Sequence, residues 1–257
     1  MLKFLLTPKW IALTLLALLL QPALYSLSQW QWHRLAQREA HNKLIVSNEN
    51  RSPLTVEQSL ESNSLSESES AKFRRALQWS PVTVTGTWDS TRQVFVRKQS
   101  YESNLGFWVV TPLLTNNGRT VLVNRGWIPA AETALSTPTV LPLTQELVTL
   151  TGRLRLVAPR TQPRPNDLPT GQVDQIQPKE IVPSSGTVTN GYLELLSSSP
   201  ESLTSDLSPI QAPEISEGPH RSYAWQWLIF AVLTIVGYGI LVRNEIAIIR
   251  STKTLQQ

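Results

Sequence analysis

The stretch Phe107-Trp-Val-Val-Thr-Pro-Leu-Leu-Thr-Asn-Asn-Gly-Arg-Thr-Val-Leu-Val-Asn-Arg-Gly-Trp127 decides the fold class of the central part of this chain. Two runs rich in valine, leucine and tryptophan, Phe107 to Leu114 and Thr120 to Trp127, flank Asn116-Asn117-Gly118. Asn-Gly is favoured between such runs because both residues tolerate the positive φ of a tight turn. A β-hairpin is therefore predicted. Outward from it, short strand-like runs alternate with turn signals. Val82-Thr-Val-Thr-Gly-Thr-Trp88 alternates in polarity, with Gln93 to Arg97 as its expected hairpin partner. Glu146 to Val157 and Thr187 to Leu196 supply further strands, while Pro159 to Pro169 and Ser197 to Pro219 read as Pro/Ser-rich connectors. The expectation is one antiparallel β-rich domain, a sheet or small barrel of about five to seven strands.

The flanks are of another kind. Hydrophobic residues make up 41% of the 257, and they are concentrated in blocks at the two ends. No residue from Trp10 to Trp32 is charged, and Ile11 to Leu20 is almost wholly aliphatic. Such a block is long enough to cross a bilayer, which takes about 20 residues. A cleaved signal peptide is the other reading, since Lys3 and Lys9 form a basic start and Ser26-Leu27-Ser28 resembles a cleavage site. The second block, Ser222 to Val242, is 21 uncharged residues without a polar stripe, which marks a transmembrane helix.

The expected organisation follows. Residues 1–9 are a cytoplasmic N-terminus and 10–29 the first transmembrane helix. Residues 30–221 form the extracytoplasmic domain, and 222–242 and 243–257 the second helix and a cytoplasmic C-terminus. Within the domain, Gln29 to Val46 reads as a helix running out of the membrane, 48–70 as a Ser/Glu-rich linker and 197–219 as a connector. Lys3 and Lys9 before the first span and Arg243, Arg250 and Lys253 after the second place both termini inside. Trp30, Trp32, Trp225 and Trp227 would then lie at the outer interface.

Composition narrows the chemistry. There is no cysteine, which removes disulfides, thiolate metal sites and a cysteine nucleophile, and Met1 is the only methionine. The net charge of +4 comes from scattered basic residues rather than one aromatic-interleaved patch, which argues against nucleic acid. His33, His41 and His220 lie near the spans rather than in the strands. No GxSxG, HExxH or glycine-rich phosphate loop is present, so no enzymatic site is expected. His220 is the residue to single out, one turn or less before the second span. On a helix, Tyr223 or Ala224, then Trp227, Ala231 and Thr234, share its face. Histidine is a usual haem-iron ligand. It is equally a residue that hydrogen-bonds a loop among belt tryptophans. His33 lies at a similar depth after the first span, so a two-histidine site and an exposed helix histidine are both open.

The residues also carry a resemblance. Leu27-Ser-Gln-Trp-Gln-Trp-His-Arg-Leu35 resembles the Trp-Gln-x-x-Arg signature of the surfeit locus 1 family of cytochrome c oxidase assembly factors. Gly106-Phe-Trp-Val-Val-Thr-Pro-Leu113 and Val121-Leu-Val-Asn-Arg-Gly-Trp-Ile-Pro129 are similar to its central hairpin. His220-Arg-Ser-Tyr-Ala-Trp-Gln-Trp-Leu-Ile-Phe-Ala231 is similar to the His-x-x-Tyr-Ala-x-x-Trp opening of its second span, and Gly191-Tyr-Leu-Glu-Leu195 has a counterpart. The motifs keep the family's order from 27 to 231, with Ser28 where the family usually has glycine and Gly218-Pro219 where asparagine often precedes the histidine.

For a bacterial-type member, the resemblance implies a plasma-membrane protein without turnover chemistry. Its role would be to bind haem a and aid insertion into the catalytic subunit of haem-copper oxidase. It implies His220 as ligand to haem iron. The expected pocket adds Tyr223, Trp227 and His33, with Arg125 as a partner for a propionate or for a structural carboxylate. The catalytic subunit and the haem a synthase are the implied protein partners and the bilayer the implied medium. A haem-independent chaperone of oxidase subunits and an extracytoplasmic sensor or interaction module are the rivals.

Overall fold

In chain order the elements of the computed structural model are α1 (Pro8–Glu49), β1 (Leu54–Thr55), α2 (Val56–Leu60), β2 (Pro81–Trp88), β3 (Val94–Tyr101), β4 (Asn104–Thr115), β5 (Thr120–Pro129), β6 (Val148–Leu156), β7 (Gln172–Val173), α3 (Pro178–Ile181), β8 (Gly191–Ser199) and α4 (His220–Thr254). The structure describes residues 2–60, 72–73, 75–131, 136–143, 145–157, 160–183, 191–200 and 206–254. Of the expected linker at 48–70, residues 61–70 lie outside these residues. Contacts divide the chain into two units, Met1–Lys43 with Glu214–Gln257, and Leu44–Pro213.

The predicted hairpin is the β4–β5 ladder, running from Gly106↔Pro129 to Leu114↔Thr120. Its loop differs from a two-residue Asn-Gly turn. The Thr115 N–H donates to Arg119 O at 2.8 Å, and the Gly118 N–H returns to Thr115 O at 2.9 Å. Of Asn116, Asn117 and Gly118, only the glycine has positive φ, +72°. This is a three-residue loop, a turn followed by a left-handed bulge residue.

Val82 to Trp88 and Gln93 to Arg97 do not pair with each other, contrary to expectation. β2 pairs with β4 at Gly86–Trp88, and β3 pairs with β4 at Val94–Tyr101. The two therefore lie end to end along one side of β4, with β5 on the other. The physical reason is local. Asp89 caps a single 3-10 turn at Ser90–Arg92, accepting from the Thr91 N–H at 3.2 Å, and this jogs the chain without reversing it. Pro112, inside β4, fits that junction. Its carbonyl accepts from the Asp89 N–H at 2.9 Å. Since N–H and C=O of one strand residue point to the same side, its missing donor faces the jog and removes no rung from the β5 ladder.

The strand order is β1-β2-β6-β8-β5-β4-β3-β7, and the further β2–β4 pairing closes β2, β6, β8, β5 and β4 into a barrel-like ring. The expected antiparallel arrangement holds for most ladders, but β1–β2, β3–β7 and β5–β8 are parallel. Eight strands are present among the described residues, one more than the expected range. The additions are the two-residue strands β1 and β7, too short to show a period. β5 is buried on both faces. Val121 and Val123 join the core with Val84, Leu113 and Leu150, while Leu122 packs with Val110, Val173 and Ile181. Alternate residues of a strand face opposite ways, so one hairpin separates two apolar cores. Each such side chain contributes about 1.5–3 kcal/mol.

Residues 54–60 are not linker. The Thr55 N–H donates to Gln58 Oε1 at 3.0 Å and the Gln58 N–H to Thr55 Oγ1 at 3.3 Å, a reciprocal capping box that starts α2. The C-terminal end of α1 belongs to the β-domain unit. Ile45 is fully buried, and Asn48 Nδ2 donates to Ala76 O at 2.7 Å and Gln78 O at 2.8 Å. Glu49 pairs with Arg153 at 2.9 Å. Arg153 and Arg155 also hold the buried Glu194 at 3.1 and 2.9 Å. Burial pushes the Glu194 carboxyl up, and the two guanidiniums oppose that shift.

α1 and α4 are each long and apolar enough to cross a membrane. Only 11% and 0% of their most apolar windows are buried, which a helix in a soluble core would not show. At 42 and 35 residues they extend roughly 63 and 52 Å. A hydrocarbon layer is about 30 Å thick, so both helices have turns to spare.

Candidate functional site

Periodicity in α1 builds the seam on which His220 sits. Trp10, Ser28, Gln31 and Leu35 are buried, and Thr14, Ala17, Gln21 and Leu24 are half-buried. Their spacing of four and three is the 3.5-residue repeat of a helix packed along a partner. On α4 the matching positions are His220, Ala224, Trp227, Ala231, Thr234 and Tyr238. The two helices run antiparallel. Near one end the Tyr238 hydroxyl meets Thr14 Oγ1 at 2.6 Å, and near the other His220 meets Gln31. Trp32 and Trp225 add an edge-to-face contact at 6.0 Å. Ser28 and Ala224 have no exposed surface. Small residues at such positions let helix backbones approach closely.

His220 is the first residue of α4. Its Nδ1 lies 2.8 Å from Gln31 Oε1. An amide oxygen only accepts, so Nδ1 is the donor, and in the neutral imidazole this tautomer leaves the lone pair on Nε2. Gly218 stands beside that nitrogen at φ +66°, and a Cβ added there would lie 3.7 Å from Nε2. A side chain there would start in van der Waals contact with the ring, and glycine leaves that position without one. Gln31 itself is buried, a polar side chain spent on orienting the imidazole.

The other site residues named from the sequence fall in different places. Trp227 lies on the seam with His220, and its Nε1 is buried without a hydrogen-bond partner. Tyr223 is 45% exposed, beside the seam, where Ala224 takes the shared face. His33 is exposed, and its Nδ1 donates to Gln29 O at 2.8 Å within the helix. It is two residues from Gln31, about 200° round α1, so the two histidines are not brought to one point.

Arg125 lies in the β-domain. It is the extra residue of a bulge between Val109↔Gly126 and Val110↔Asn124, which turns its side chain inward. Only 2% of it is exposed. Nη1 donates to Gln93 Oε1 at 3.2 Å, and burial pulls its pKa down to about 10 although Asp206 opposes this. It lines a cleft of about 310 Å³ with Leu195, Ser197 and Leu207. Gly126 follows at φ +150°, and a Cβ there would come within 2.6 Å of Ser208 O. No group of three histidine, aspartate or glutamate side chains able to hold a metal occurs among the described residues.

Sequence reasoning did not single out Gln31 as a partner, or the Glu194–Arg153–Arg155 cluster. For Gln31 a signal existed, since it continues the spacing of Ser28 and precedes Leu35 by four. For the cluster none did, because Glu49, Arg153 and Glu194 are far apart in the chain.

Two apolar helices of membrane-crossing length on either side of a barrel-like β-domain, with a histidine opening the second, define a two-helix, β-domain class of protein. The SURF1 family model matches residues 18–232, and the chain belongs to that family, known generally for oxidase assembly factors. SURF1-like proteins of Mycobacterium bovis and of Mycobacterium tuberculosis strain H37Rv, both uncharacterised, are each 28% identical over 256 residues. These matches cover 98% of this chain and 90% of each relative.

Proposed function

We propose that this protein is an integral assembly factor of the bacterial plasma membrane. It holds haem a for insertion into the catalytic subunit of haem-copper cytochrome c oxidase. The observation that carries the reading is the His220–Gln31 hydrogen bond. A fixed tautomer with Nε2 unprotonated is what an imidazole ligand to iron requires. Haem a would supply the iron centre and a flat apolar ring. The protein's own part is orientation: Gln31 fixes the imidazole, Gly218 leaves room beside it, and Trp227 and Tyr223 offer aromatic surface one to two turns along. His33 lies on another side of α1 and serves at most as a secondary contact.

Both termini are cytoplasmic in this reading, with Trp30, Trp32, Trp225 and Trp227 at the outer interface. The β-domain then lies outside the cytoplasm, where it docks the oxidase subunit or the haem a synthase. Arg125 belongs to that domain and, buried as it is, meets a carboxylate only through its cleft.

The test is the visible spectrum of the detergent-purified protein co-expressed with haem a synthesis. The wild-type chain should carry a Soret band that His220→Ala loses and Gln31→Leu weakens or shifts. A wild-type preparation free of haem despite confirmed haem a synthesis would replace this reading with a haem-independent chaperone of oxidase subunits.

A further inference from the structure

One face of α1 is left over once the seam and the histidine site are accounted for. Trp30, His33, Arg34, Gln37, Arg38 and His41 are all exposed. At 100° per residue they occupy one continuous arc, apart from the arc of Ser28, Gln31 and Leu35. No acidic residue interrupts it. The neighbouring carboxylates are engaged elsewhere: Arg221 takes Glu217 at 2.9 Å and Glu39 at 3.4 Å.

The arrangement within the arc is specific. The Arg34 guanidinium stands over the Trp30 indole, 6.0 Å from its centroid, and donates to Gln37 Oε1 at 3.1 Å. The cation is thereby drawn back to the level of an indole that follows the apolar stretch. Arg38 lies one turn further out. His33, with Nδ1 committed to Gln29 O, turns Nε2 outward. Indoles settle at the headgroup level of a bilayer, and cations within a turn or two of that level meet lipid phosphates. In the orientation given above these cations are on the outer side, where the positive-inside preference gives no reason for them.

We infer that this face binds the phosphate of an acidic phospholipid, such as phosphatidylglycerol, in the outer leaflet. Arg34 and Arg38 supply the charge, and Trp30 sets the depth. Bound acidic lipid would give the first helix a fixed depth and rotation. The inference rests on α1 and α4 being membrane spans and not on haem binding.

Reconstituted full-length protein tests it, with spin-labelled phosphatidylglycerol and phosphatidylcholine compared by electron spin resonance. The wild-type chain should restrict phosphatidylglycerol in preference to phosphatidylcholine. Arg34→Gln with Arg38→Gln should lower that preference by about fivefold for each cation removed. Arg243→Gln, at the other end of α4, should leave the outer-leaflet preference unchanged. Inorganic phosphate at millimolar concentration should not compete. Equal restriction of both lipids by the wild type, or an unchanged preference in the double variant, would overturn the inference. So would a double variant that loses haem while keeping its lipid preference, since the face would then serve propionates. A His220→Ala protein that loses haem but keeps the preference separates the two proposals.

Discussion

Arg153 stands between two carboxylates from distant parts of the chain, Glu49 at the end of α1 and Glu194 in β8. Glu194 is 2% exposed, and Arg155, which shares it, stacks on Trp79 with its guanidinium carbon 3.7 Å from the ring centroid. A charge in such a place is stable only while its partners remain. Arg153→Met should therefore destabilise the protein by about 3–5 kcal/mol, read as a lowered thermal unfolding midpoint in detergent. Adding Glu194→Leu should recover part of the loss, because a buried pair replaced by apolar groups costs far less than a pair that is broken. A double variant as unstable as the sum of the two single changes would show that the cluster is not coupled. His220 obeys a related logic. Its ring orientation is held by one hydrogen bond that it donates to a residue 189 positions away in the chain.

At the scale of elements, the α1–α4 seam is the most informative feature. The chain has no cysteine, so introduced pairs report on it without background. Thr14→Cys with Tyr238→Cys, treated with a short bifunctional thiol reagent, should crosslink within one chain. Leu16→Cys with Tyr238→Cys should not, since Leu16 is exposed and about 200° round the helix from Thr14. Ser28→Leu should reduce the yield of the first crosslink several-fold. Its added methylenes have no room in a seam where Ser28 has no exposed surface, and overpacking of that kind costs about 1–3 kcal/mol. An undiminished yield would mean that the helices do not approach closely at Ser28. The β2–β3 junction makes the same point for strands: one capped turn at Asp89 decided that two neighbouring runs share one side of β4 instead of forming a hairpin.

At the scale of the whole molecule, the absence of cysteine also permits a test of orientation. With the β-domain outside the cytoplasm, Ser90→Cys, exposed on the turn after β2, should react with a membrane-impermeant maleimide in intact spheroplasts. Ser251→Cys, in the last turn of α4, should react only after lysis. The opposite pattern would invert the topology, and labelling of both in intact cells would remove the two-span reading. Much of this architecture was legible in the sequence. The uncharged blocks marked the two long helices, because the mean apolar character of twenty residues is a local property. The Asn-Gly signal between Val-rich runs marked the β4–β5 hairpin for the same reason, and the shared face of His220, Trp227 and Ala231 followed from helical spacing alone. What only the tertiary structure decided were the non-local pairings. These are the closure of the ring through β2 and β4, the parallel joins, the burial of Arg125 and the selection of Gln31 rather than His33 to face His220. Each depends on which distant segments share a surface, and the free energy that settles the choice comes from burial and hydrogen bonds made between them, to which no stretch of sequence contributes alone.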